Sequence, residues 1–320
     1  MPALSVVVPL YNEEDTVAEL RQRLGAVLES VQPDYEVVLV NDGSRDGTAE
    51  ALRAIAAPGS RWRAIHFSRN FGHQAAVAAG LRYATGRAVV VMDADLQDPP
   101  ELLDTMLARW RDGYEVVYAQ RTSRERESAA KRGLAWLYYR ILRALSPVEI
   151  PSDTGDFCLM DRRVVDQLVA LPERNRYIRG LRAWVGFRQT SVPFERAARF
   201  AGAPKYNFRK SLALGINGII SFSKAPLRLA IWLGLVVSLT SFILGIYFII
   251  EKLTTNLDVR GWASTVVIIL FLGGVQLLTI GIIGEYLSRI YDEVKQRPLY
   301  VVRETDNTEP SGPARAMEHR

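Results

Sequence analysis

The chain has 320 residues, 48% of them hydrophobic, with 40 Lys and Arg against 35 Asp and Glu. That length can bury a sizeable core, and a net charge of +5 suits anionic ligands or an anionic membrane surface without implying nucleic acid. The single cysteine, Cys158, excludes an intramolecular disulfide and a cysteine-based zinc site, and His66, His73 and His319 are too few and too scattered for a histidine-rich metal site.

Leu4–Pro9 reads as a short strand, and Leu4–Leu10 is too short and lacks the basic flank of a signal peptide. Glu14–Val31 has helical period. Tyr35–Val40 is apolar and ends in the turn signal Asn41-Asp42-Gly43-Ser44. Asp46–Ala56 is helical in pattern, Ala64–Phe67 is a strand, His73–Ala84 is a helix of small residues, and Ala88–Met92 is a strand. Pro99-Pro100 seeds a helix over Glu101–Arg111, since proline is tolerated in a first turn. Glu115–Ala119 follows as a strand. This alternation predicts an α/β domain over 1–205, a mostly parallel sheet covered by helices on both faces. Ligands bind such sheets at the carboxyl ends of the strands, where Asp42, Asp93, Asp95 and Arg121 fall. Neither a P-loop nor a GxGxxG turn is present; Pro9-Leu10-Tyr11-Asn12-Glu13 occupies the first strand-to-helix turn.

Leu229–Ile250 is 22 residues without a charge and Trp262–Gly284 is 23 more. At ~1.5 Å per residue each run is long enough to cross a bilayer core. Arg209, Lys210, Lys224 and Arg228 precede the first span; Arg289, Lys295 and Arg297 follow the second. Basic outer flanks and a short connector over 251–261 predict a multi-pass plasma-membrane protein with the N-terminal domain and the C-terminus cytoplasmic. Residues 206–228 read as interfacial or juxtamembrane helices, 285–303 as a cytoplasmic segment, and 304–320 as a disordered tail. Gly273, Gly274, Gly281 and Gly284 would permit close helix packing, in keeping with a homo-oligomer.

The stretch VVMDADLQDPP, Val90–Pro100, ends an apolar strand on two aspartates spaced by one. Asp93 and Asp95 can present carboxylates towards one point, and Gln97 adds a carbonyl oxygen. Mg²⁺ or Mn²⁺ prefers such all-oxygen ligands, and a cation held by so few protein groups keeps positions open for a diphosphate.

Together with VVVPLYNEE, VNDGSRDGT and FSRNFGHQAAVAAG, that stretch resembles the family 2, GT-A-fold glycosyltransferases. The subgroup is the polyprenyl-phosphate glycosyltransferases, which includes bactoprenol glucosyltransferases and dolichol-phosphate mannose synthases. TGDF (Thr154–Phe157) and YIRGLRAWVGFRQ (Tyr177–Gln189) extend the likeness, and two C-terminal spans match the bactoprenol branch best. The resemblance implies that Pro9, Tyr11, Glu13, Asp42 and Ala94 hold the nucleotide, with Asp93 near ribose and diphosphate. It makes Asp95 and Gln97 the metal ligands. It puts Asp156 beside the reacting centre; a helix cap before Phe157–Val165 is the structural alternative.

A lipid phosphate acceptor needs no general base, because it is already ionised at neutral pH. The site must instead gather cations around two anions. Arg121, Arg124, Arg126, Lys131 and Arg132 follow one strand, and Lys205, Arg209 and Lys210 precede the first span. Arg121 is expected on the donor diphosphate; Arg126, Lys131, Lys205 and Arg209 on the acceptor phosphate. The implied reaction is inverting transfer of a hexose, UDP-glucose favoured and GDP-mannose the rival donor, onto a membrane polyprenyl phosphate. A processive polysaccharide synthase would carry Gln-x-x-Arg-Trp, where this chain has Arg182-Ala183-Trp184. A non-catalytic scaffold would tolerate loss of Asp93, Asp95, Gln97 and Asp156, all of which are present.

Overall fold

The computed structural model describes residues 1–122, 154–174, 176–195, 225–254 and 261–307. Strands β1 (Leu4–Leu10), β2 (Tyr35–Asn41), β3 (Trp62–Phe67), β4 (Ala88–Val91), β5 (Val116–Arg121), β6 (Thr154–Asp161), β7 (Gln189–Phe194) and β8 (Val302–Asp306) form one sheet in the order β7-β5-β6-β4-β1-β2-β3-β8. β1 pairs in parallel with β2 and β4, and β2 with β3; β6 and β8 run antiparallel to their neighbours. The predicted strands over the first 120 residues are all present, with ends moved by a residue or two.

Strand residues alternate between two cores, as a pleat of period two requires. Val6, Val8, Val37, Leu39 and Val90 pack beneath helices α1 (Glu14–Val31), α2 (Thr48–Ile55) and α4 (Leu102–Arg111). Val7, Val38, Val40, Val89 and Val91 face α3 (His73–Tyr83), α5 (Arg162–Ala170) and α6 (Ile178–Trp184). The small residues of α3 let it lie close on the sheet. A Cβ on Gly80 would stand 2.1 Å from Val7 Cγ1.

Two sequence expectations change. Thr154–Asp161 is a strand, so Asp156 is not a helix cap. Residues 302–306 are also a strand, so ordered chain runs past Arg303 into the stretch expected to be a tail. Helices α7 (Ala225–Thr254) and α8 (Trp262–Lys295) are 30 and 34 residues long and contain the two apolar runs. Both are long and apolar enough to cross a bilayer, and hardly any of either apolar window is buried. α8 continues beyond the apolar run through an Arg289–Glu285 ion pair, and Glu293 accepts the Arg174 N–H at 2.8 Å. Among the described residues, and apart from α8's own neighbouring backbone, nothing lies within 4 Å of where a Cβ would stand on Gly273, Gly274, Gly281 or Gly284.

Candidate active site

The register of three strands assembles the site. Val91 of β4 pairs with Val7 of β1 on one side and with Cys158 of antiparallel β6 on the other. Asp93 lies two residues past Val91, and Asp156 two residues before Cys158. Both carboxylates therefore leave the ladder at the same edge. Asp156 shares a face with Cys158 and Met160, which pack towards α3 and α6. His73 is the first residue of α3 and Arg179 lies in the first turn of α6, so both reach Asp156.

Arg179 grips Asp156 with two parallel bonds, Nε to Oδ1 at 2.8 Å and Nη2 to Oδ2 at 3.1 Å. His73 Nε2 lies 3.0 Å from Asp156 Oδ2 and 3.8 Å from Asp93 Oδ1. Burial would raise the Asp156 carboxyl, but Arg179 and His73 hold it well below the usual range. Burial would lower the His73 imidazole, but the bond to Asp156 and the charges of Asp156 and Asp93 push it up to about 9. Burial raises Asp93, helped by Asp156 and Asp95 and opposed by His73. Asp93 and Asp156 thus share the imidazole of His73, and Arg179 adds a guanidinium to the same cluster. Arg121, the last residue of β5, adds a guanidinium whose Nη2 is 3.8 Å from where a Cβ on Gly155 would stand.

Beyond β4 the chain turns sharply. Leu96 adopts φ 55°, and Asp95 Oδ1 accepts the Gln97 N–H at 3.2 Å. The Ala94 side chain is buried in the core with Leu96, so only its backbone is offered to a ligand. Asp93, Asp95 and Gln97 are oxygen donors alone, a set that fits a hard divalent cation and no soft one. Among the described residues no three His, Cys, Asp or Glu side chains converge on one point. A cation here would draw its remaining ligands from a diphosphate or water.

The loops after β1 and β2 interlock on the other side. Pro9 lies past the last β1–β4 pair, where β4 has turned away and no ladder bond is lost to its missing N–H. Tyr11 and Glu13 are half-buried. The Glu13 N–H donates to Thr48 Oγ1 at 2.9 Å, and Thr16 Oγ1 donates to Glu13 Oε2 at 3.3 Å. Asp42 is buried, and its carboxylate accepts the Phe71 N–H at 2.6 Å and the Gly72 N–H at 2.9 Å. The turn is closed by Asn41, whose Oδ1 accepts the Ser44 N–H, rather than by Asp42. Gly43 has φ 64° and lies so close to Arg69 that a Cβ would stand 2.3 Å from its carbonyl carbon.

Asp93, Asp95, Asp156 and Arg121 therefore lie at one edge, with Pro9 at the end of β1 and Tyr11, Glu13 and Asp42 in the loops that follow β1 and β2. Arg126, Lys131, Lys205 and Arg209 lie outside the described residues. Sequence reasoning missed His73 and Arg179. Both stood in quoted motifs, but only the fold reveals their shared partner, 83 residues from one and 23 from the other.

Residues 5–169 match the family model Glycosyl transferase family 2, and residues 225–290 match GtrB C-terminal hairpin. The chain is 48% identical over 301 residues to the uncharacterized glycosyltransferase YkcC of Bacillus subtilis, covering 94% of this chain and 93% of that one. It is 40% identical over 307 residues to the SfII prophage-derived bactoprenol glucosyl transferase of Shigella flexneri, covering 96% of this chain and 99% of that one. A solved structure, the mannosyltransferase PcManGT from Pyrobaculum calidifontis in complex with GDP-Man and Mn²⁺, is similar at 22% identity with a TM-score of 0.42, covering 60% of this chain and 55% of that one.

Proposed function

The chain belongs to glycosyl transferase family 2 and is a glycosyltransferase with a GT-A-like sheet, and from that premise we propose that it moves glucose from UDP-glucose to undecaprenyl phosphate at the cytoplasmic face of a membrane. The observation that carries this reading is end-to-end likeness to a bactoprenol glucosyl transferase, helical hairpin included. Basic residues at the outer ends of the two apolar runs support the orientation.

Pro9, Tyr11, Glu13 and Asp42 bind the nucleoside, Tyr11 by its ring and Glu13 through ribose hydroxyls. Asp93 stands between ribose and sugar. Asp95 and Gln97 would hold Mg²⁺ or Mn²⁺, which when bound would neutralise diphosphate charge. The lipid phosphate oxygen forms a bond to the anomeric carbon as the bond from that carbon to the β-phosphate oxygen breaks. The electron pair leaves with the nucleoside diphosphate, and configuration inverts in the single displacement. Arg121 stabilises the charge developing on the leaving group. Asp156, kept ionised by Arg179 and His73, orients sugar hydroxyls and fixes both cations at the reacting centre. No protein base is required.

The test is transfer of radiolabelled sugar into organic solvent. Purified protein, with either metal, is offered labelled UDP-glucose, GDP-mannose or UDP-N-acetylglucosamine, and either undecaprenyl phosphate or undecaprenol. Label extracted only with UDP-glucose and the phosphate is expected. Transfer to the alcohol would overturn the base-free mechanism, and transfer from another donor would reassign the sugar.

A further inference from the structure

We propose that strand β8 positions the donor-nucleotide loops through a buried relay, Asp306–His66–Asn41–Ser44, so that Asp306 and His66 are positioning residues for donor binding. This rests on the reading that the loops after β1 and β2 hold the nucleoside.

The proton directions in the relay follow from chemistry alone. The Ser44 backbone N–H can only donate, and it points at Asn41 Oδ1 at 2.9 Å. Asn41 must then turn its NH₂ to His66 Nδ1, 3.0 Å away. That nitrogen must accept, so the ring proton sits on Nε2 and is donated to Asp306 Oδ2 at 2.9 Å. His66 and Asn41 are 2% and 3% exposed, so water cannot replace either bond readily. Beyond Ser44 the chain of bonds continues. The Asn12 N–H donates to Ser44 Oγ, and the Arg45 N–H to Asn12 Oδ1, both at 2.9 Å. Asn12 has φ 51°, a left-handed conformation that needs such support. Tyr11 and Glu13 flank it; Asp42 directly follows Asn41.

β8 is well anchored for this role. Asn307 Nδ2 donates to Ser60 and Trp62 carbonyls at 2.7 and 2.9 Å. Just before β8 the Val301 carbonyl accepts the Ser68 N–H at 3.0 Å. The strand comes directly after α8, so the apolar helical hairpin and the donor loops share one mechanical connection.

Asp306→Ala removes the terminal acceptor; Asp306→Asn keeps one. The full-length protein in detergent is titrated with UDP and with GDP, its donor and lipid KM values are measured separately, and amide hydrogen exchange is followed at Asn12 and Ser44. Expected for Asp306→Ala is nucleoside diphosphate binding weaker by roughly 5- to 10-fold, the scale of one ordinary hydrogen bond. Lipid KM should hold, exchange at Asn12 and Ser44 should quicken, and Asp306→Asn should restore wild-type values. Unchanged affinity and exchange would overturn the relay. So would a general loss of melting temperature that shifts both KM values alike and resists the Asn rescue. A wild-type protein that binds neither nucleotide would sink the donor reading, and exchange alone would then decide whether β8 orders these loops.

Discussion

The central strands carry a buried carboxylate network at each end, and the two networks do different work. At the amino ends Glu36 of β2 accepts Ser5 Oγ–H, the Thr85 N–H at 2.6 Å and Thr85 Oγ1–H at 2.8 Å. Arg63 Nη1 lies 2.9 Å from its other oxygen. One negative charge meets one guanidinium and three neutral donors, and the side chain is 4% exposed. At the carboxyl ends Asp93 and Asp156 gather around His73 and Arg179, with Asp95 and the Arg121 guanidinium beside them. There the side chains of Asp93 and His73 are 34% and 33% exposed. Burial and ion pairing are common to both ends. What separates them is access: the Glu36 carboxylate of the first network is shut away from solvent, and the second network has an open face. A closed network stabilises a fold; an open one is organised for a ligand.

Asp93→Asn and Asp95→Asn test that contrast most strongly. Each removes one of three mutually repelling charges while keeping shape. Transfer should fall on the order of 10²–10³-fold, about 2.7–4 kcal/mol in the barrier, with the melting temperature unchanged or raised. A melting temperature that dropped with activity would make this end another structural knot.

Glu36→Ala should do the reverse. It strands the Thr85 N–H and the Ser5 hydroxyl, for a loss of about 2–3 kcal/mol in chemical denaturation after discounting the partly exposed Arg63. Turnover per folded molecule should stay at the wild-type value. A specific loss of turnover without loss of stability would erase the distinction between the ends.

The central strands were largely legible in the sequence, because Val-rich runs bounded by turns announce parallel strands, but the amino-end network on Glu36 was not, because its partners come from three separate segments. The Asp93–Asp95 spacing at the end of such a run also pointed to the edge where Asp93 lies beside His73 and Asp156. Three strands were not legible, for different reasons; β7, QTSVPF, carries a proline that argues against a strand. In TGDFCLMD only four consecutive residues are apolar, too few to separate strand from helix by period. VRETD is polar on both faces, because it covers an edge rather than entering the core. The grip of Arg179 and His73 on Asp156 was hidden because it depends on where α3 and α6 begin over an antiparallel strand.

Arg179→Lys is a smaller and sharper probe of the carboxyl end. A lysine keeps the charge but cannot bond both Asp156 oxygens in parallel. Transfer should slow by roughly 10-fold, about 1.4 kcal/mol, chiefly in kcat if Asp156 acts at the reacting centre. A change confined to melting temperature would reduce the pair to a structural role.

The smallest effect belongs to Tyr300, which joins the carboxyl end of β3 to the chain returning from α8. Its ring stacks on Phe67 with centroids 4.9 Å apart. Burial is the main cause that pushes its phenol up to about 12, with Arg82 and Arg176 opposing and Tyr83 assisting. The unfolded phenol titrates near ~10. A folded value above the unfolded one means that the folded state favours the neutral ring. The contribution is therefore complete below pH ~10 and lost as pH rises towards about 12. With the ring only partly covered, about 1 kcal/mol should disappear across that window. Tyr300→Phe keeps the stack without the ionising group. Alkaline denaturation of the two proteins should diverge only above pH ~10, with the variant the more stable. Equal loss in both would mean that the phenol ionises without opposing the fold, and that its burial adds nothing to the hold on the return segment.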